Sequence, residues 1–141
     1  MRALTIKQPW VHAIFHLGKD VENRSWPCQA PRWIAIHASQ KPDRDAEYPK
    51  GIELPEPDEL PLSAIVGVAH LSEVRKTSDS RWFYRPGPGE KNLAWILSEV
   101  RALEKPIPLR GRLNLWEVPA DVARKIRKQF PDLDFGDPPK R

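Results

Sequence analysis

The chain has 141 residues, 40% of them apolar, and a net charge of +4. That is enough apolar material for one modest core and too much for a wholly disordered chain. No run of about 18 apolar residues occurs, so no membrane-spanning helix is expected. Met1–Leu4 also lacks the apolar core of a signal peptide, and a cytoplasmic protein is the simplest expectation. Cys28, the single cysteine, cannot close an internal disulfide or build a thiolate zinc site. The basic balance favours anionic partners about as much as a plain solvated surface. Six tryptophans against two tyrosines and four phenylalanines suit either a core or a platform on which bases stack.

Leu4–Ile6 reads as a strand. Pro9 is placed for a first helical turn, and Trp10, Ala13, Ile14 and Leu17 follow at helical spacing until Gly18 stops the helix. His12 and His16 project together from it, but no third metal ligand accompanies them, so no metal site is expected. Val21–Trp26 is extended, with Glu22, Arg24 and Trp26 on one face. Arg32–Ala38 is apolar on both faces and is therefore a central strand. Ser39–Tyr48 allows a short helix, and the proline-spaced acidic stretch Glu53–Pro61 is a surface excursion.

Ala64–Leu71 is the most apolar run, a buried strand in which Gly67 marks a bulge or a close backbone approach. Lys76–Asn92 is a long loop with Trp82, Phe83 and Tyr84 between Arg81 and Arg85. Those aromatics either cap the core or form a stacking surface over a basic groove. Leu93–Leu103 is ambiguous between helix and strand. Leu113–Val118 alternates as a strand does. From Pro119 a helix runs toward Phe130, with Val122, Ile126 and Phe130 on one face and a basic opposite face. The expected organisation is a single domain over 1–130 and a mobile polar tail over 131–141. About five strands mixed with helices indicate an α+β fold around a small curved sheet or barrel.

Leu4-Thr5-Ile6-Lys7-Gln8-Pro9-Trp10, then Gly18-Lys19-Asp20-Val21-Glu22-Asn23-Arg24-Ser25-Trp26, closely resembles the opening of the ASCH domain. The resemblance continues through Ile36–Ser39 and Ala64–Val68 and closes on Gly111–Val118. It spans about Ala3 to Pro119. It implies a PUA-like fold, a small β-barrel flanked by helices, with a strand around Trp95–Leu97. It also implies a cleft lined by Lys7–Trp10 and Lys19–Trp26. PUA-like domains mostly bind RNA or modified nucleotides. Some ASCH proteins are amidohydrolases that deacylate N4-acetylcytidine, and others have been described as ribonucleases. The amidohydrolase branch carries threonine where this chain has Glu22, and its lysine would fall on Lys19.

The expected function is therefore a binding module for single-stranded RNA or DNA, or for a modified nucleoside, needing no cofactor. Lys7, Lys19 and Arg24 would meet phosphate or base edges, Gln8 a base edge, and Trp10, Trp26 or Trp82 the base face. Arg81, Arg85 and Arg112 would extend the positive surface. The alternative is a metal-independent amidohydrolase or a ribonuclease, in which Lys19, Glu22 and Arg24 carry the chemistry. A purely structural ion-pair network of those three residues is the non-functional counterpart.

Overall fold

Strand alternation sorts the apolar residues of the central strands into two cores. Strand β1 (Arg2–Ile6) and strand β3 (Arg32–Ala38) run parallel, with Leu4 opposite Ile36. Successive strand side chains point to opposite faces. Leu4, Ile6, Ile34 and Ile36 accordingly pack with Val11 and Ile14 of helix α1 (Trp10–His16). Ala3 and Ala35 pack on the other side, with Val122, Ala123 and Ile126 of helix α2 (Ala120–Gln129). The computed structural model describes residues 1–47 and 49–136.

Four more strands complete the sheet: β2 (Val21–Arg24), β4 (Ala64–Arg75), β5 (Leu93–Pro108) and β6 (Leu115–Glu117). Their order is β2-β5-β4-β3-β1-β6, and every pairing except β1 with β3 is antiparallel. The β4–β5 register slips at three places, between Ile65 and Gly67, His70 and Leu71, and Leu71 and Glu73. Bulges bend a strand and increase its twist, and the sheet curls into a half-barrel with a helix on each face. Gly67 serves both roles expected of it. It sits at a bulge, and a Cβ there would lie 2.4 Å from the Arg101 carbonyl oxygen and 2.6 Å from the Phe15 ring.

The ambiguous Leu93–Leu103 segment is strand. Ala94 and Trp95 belong to different cores, so the start of β5 is covered on both faces and shows no period of two. The short helix expected from Ser39 is absent over 39–47, where only a turn forms at Arg44–Asp45, and Tyr48 lies outside the described residues. There the Asp43 carboxylate accepts the Asp45 N–H at 3.1 Å, an Asx turn that competes with helix. The acidic excursion keeps Glu53, Glu56, Asp58 and Glu59 exposed around a single 3-10 turn, Pro57–Glu59. Of the residues expected as a tail, Leu133 and Phe135 pack on the α2 side of the sheet, and 137–141 lie outside the described residues. Among the described residues no helix is long and apolar enough to cross a membrane.

Candidate functional site

The curl brings edge strand β2 opposite β1, which is four places away in the sheet order. Arg24 spans the gap between them, its Nη2 donating to the Thr5 carbonyl oxygen at 2.9 Å. Its Nε donates to Glu22 Oε2, also at 2.9 Å. The other Glu22 oxygen receives Lys19 Nζ at 3.4 Å, and the same ammonium donates to the Val21 carbonyl. Lys19 is aimed here by the end of α1. Its backbone N–H closes onto the Ala13 carbonyl at 3.0 Å, and Gly18, with φ +73°, turns the chain inward. One buried carboxylate thus holds two cations at the open seam of the half-barrel.

Trp10 adjoins this cluster, with Lys19 Nζ 5.9 Å from its ring centroid. Its indole N–H donates to Asp43 at 3.1 Å, and the Asp43 N–H bonds the Gln8 carbonyl at 2.7 Å. The 39–47 segment is thereby tied over the helix start. Across the seam, Asn23 anchors the long loop. Its amide donates to the Trp82 carbonyl at 3.0 Å and its oxygen accepts from the Tyr84 N–H at 2.9 Å and from Asn92 at 3.0 Å. Trp82 and Phe83 then pack with Ala13, Val21 and Ala94, capping the core, while Tyr84 stays 53% exposed. Arg81 lies over the Trp82 ring, 5.6 Å from its centroid. Trp82 and Phe83 thus cap the core, as one reading of the loop expects, while Tyr84 is exposed at the cavity.

These segments enclose a cavity of about 760 Å³, within the range of small-molecule sites. Lys7, Trp10, Lys19, Glu22, Arg24, Arg81, Trp82 and Arg112 all line it. Three expected residues do not. Gln8 is buried, and its amide is spent on the Pro61 carbonyl and the His12 N–H. Trp26 stands edge-on to Trp95 at 4.7 Å, because β2 ends at Arg24 and the chain bends before the alternation reaches it. Arg85 is exposed but lies outside the cavity lining. The lining adds Thr5 and Asp43, which sequence reasoning did not place in the site, and Asn23 and Tyr84, which it named only as parts of the expected cleft segment and of the aromatic loop. Asn23 had a signal: asparagine is disfavoured in strands, so one inside β2 calls for partners.

Five basic side chains face three acidic ones (Glu22, Asp43, Glu47) in the lining, so the cavity is net positive. Lys19, only 4% exposed, has its pKa lowered by burial, with Glu22 pulling it back upward. A buried ammonium close to a carboxylate can bind an anion, polarise a carbonyl or exchange a proton. The Lys19 backbone N–H, already bonded to Ala13, is not available to stabilise an oxyanion. Below the seam, His37 Nε2 donates to the Leu109 carbonyl at 2.6 Å, which leaves Nδ1 to accept from the Thr5 hydroxyl at 3.2 Å. That hydroxyl accepts from the Trp116 indole at 3.0 Å. The His12 and His16 rings meet at a tilt of 37°, their centroids 4.8 Å apart, and no group of three metal-ligating side chains occurs among the described residues. Comparison with protein-family models and with curated proteins finds no match to this chain.

Proposed function

We propose that the protein is a cytoplasmic, PUA-like module of ASCH type that holds an unpaired base of single-stranded RNA or DNA, or a modified nucleoside, in the seam cavity. The convergence of Lys7, Lys19, Arg24, Arg81 and Arg112 with Trp10, Trp82 and Tyr84 around one cavity carries this reading. Half-buried Trp10 and exposed Tyr84 offer ring faces to a base, and stacking is worth about 1–3 kcal/mol per base. The exposed Lys7, Arg81 and Arg112 suit phosphate oxygens, whereas buried Lys19 suits a base carbonyl. The resemblance of Leu4–Trp10 and Gly18–Trp26 to the ASCH opening supports the same class of ligand.

Binding to single-stranded RNA and DNA at several salt concentrations tests the reading. Affinity should fall with salt, with a log–log slope of about −0.7 per phosphate contact. Lys7→Ala with Arg112→Ala removes two exposed contacts without touching the buried network. Lys19→Ala with Arg24→Ala removes the cavity floor. Micromolar or tighter binding that survives both pairs would refute the site.

The lowered pKa of Lys19 beside Glu22 favours one second reading, metal-independent hydrolysis of an N4-acylated cytidine. Water would attack the acyl carbon as Lys19 or Glu22 takes its proton, and that proton would return to the departing N4 amine. Arg24 would face the tetrahedral oxyanion. Ribonuclease action would call on the same residues. Incubation with N4-acetylcytidine should release cytidine and acetate on this reading; no product at high enzyme concentration excludes it.

A further inference from the structure

We infer that the ligand is a single-stranded polynucleotide rather than a free nucleotide, and that its strand leaves the seam cavity over the Gly111–Asn114 turn into a second basic groove. This rests on the base-binding reading of the seam. The second groove, of about 1120 Å³, lies between the chain after β5 and the start of α2, and Arg110, Arg112 and Arg127 line it against one acid, Glu117. Arg112 lines both cavities. A phosphate at Arg112 would therefore stand at the junction of the two. The basic surface continues along α2, where Arg124, Lys125 and Lys128 are exposed.

The partition between the cavities is fixed in place. Trp116 faces the groove and Thr5 faces the seam, and they are joined by the indole-to-hydroxyl bond at 3.0 Å. Gly111 presses on this wall so closely that a Cβ would come within 2.7 Å of both the His37 ring and the Thr5 hydroxyl. On top of the turn Leu113 is 88% exposed, held there by a left-handed Asn114 with φ +62°. An apolar side chain on a ridge between two basic cavities can wedge between neighbouring bases and separate the one that enters the seam. Leu113 itself lines the seam cavity, so a free nucleotide could touch it but would not use the second groove.

The experiment compares a nucleoside monophosphate with single-stranded oligonucleotides of about eight residues, oligo-rU and oligo-dT in separate arms. The oligonucleotide should bind at least about tenfold more tightly, through the added phosphate contacts. Arg110→Gln with Arg127→Gln should erase that advantage and reduce the salt slope by about 1.4, while monophosphate binding stays unchanged. Should the double variant fold poorly, Arg110→Gln alone, at an exposed position, should reduce the slope by about 0.7. Leu113→Ala should weaken the oligonucleotide more than the monophosphate and leave the melting temperature unchanged. Equal binding of monophosphate and oligonucleotide, or an advantage untouched by these variants, overturns the strand path and leaves the seam reading standing. If neither ligand binds, the strand path fails, and the seam reading is reduced to a modified nucleoside.

Discussion

At the residue scale, Glu22 is the hinge of the site's energetics. It is the counter-charge to Lys19 at 3.4 Å and to Arg24 at 2.9 Å. Removing one partner of a buried ion pair leaves the other charge uncompensated, at a cost of about 3–5 kcal/mol. Glu22→Gln strands two cations and should destabilise the fold by an amount in that range in urea melts. Lys19→Met leaves Glu22 paired with Arg24 and should cost less than about 2 kcal/mol, since an apolar replacement of a buried charge is often close to neutral. The reverse order would show that Lys19, not Glu22, holds the cluster together. His37 yields a pH prediction. Burial pushes its pKa below the ordinary 6.5, against the opposing pull of the Leu109 carbonyl. As pH falls below about 6.5 the unfolded chain takes up a proton that native His37 refuses, so stability is lost over that window. Burial and His16 lower the His12 pKa as well, adding a loss of the same sign. Stability measured from pH 7.5 to 5.5 should therefore decline, and His37→Gln should flatten the decline beyond what His12→Gln does.

At the element scale, the loop over Lys76–Asn92 depends on β2. Three hydrogen bonds reach it or its far end from the Asn23 amide group. A net value of about 0.5–1.5 kcal/mol each puts the cost of Asn23→Ala at about 2–4 kcal/mol. The loss should be local first: trypsin should cut faster after Arg81, while exchange-protected amides in β3 and β4 remain protected. Uniform loss of protection would mean that the loop is not a separate stability unit. The same element shows what the sequence left open. The cluster Arg81–Arg85 was legible as functional or core-capping from composition. Its division into buried Trp82 and Phe83 and open Tyr84 was not, because the loop's anchors, Asp20 and Asn23, lie about sixty positions earlier.

At the scale of the whole molecule, two of the cores close on opposite faces of one curled sheet, and Leu133 and Phe135 belong to one of them. Phe135 is 6% exposed, against the cluster that includes Trp116 and Ile126. Truncating a buried phenylalanine costs about 3–5 kcal/mol. Phe135→Ala, or a chain ending at Phe130, should therefore melt at lower temperature by an amount in keeping with that cost. An unchanged melting temperature would instead favour a dispensable tail from residue 131 onward.

The sequence by itself determined the local elements and most of the site's chemistry. Pro9, the apolar spacing from Trp10 and Gly18 mark α1; the two-sided apolar run of Arg32–Ala38 marks a central strand; Lys19, Glu22 and Arg24 stand close enough in the chain to be seen together. Alternation and helical period are local properties, so these needed no fold. Only the tertiary structure decided the rest. Helical spacing and two-sided burial look alike over Leu93–Leu103, and pairing with β2 and β4 settles it as β5. Trp26 leaves the site and Asp43 enters it because a bend and an Asx turn redirect them. The seam itself, where Arg24 reaches the Thr5 carbonyl from the opposite side of a curled sheet, depends on bulges in strands that lie between them. No local pattern specifies where a sheet's two ends meet; the accumulated twist of every strand between them does.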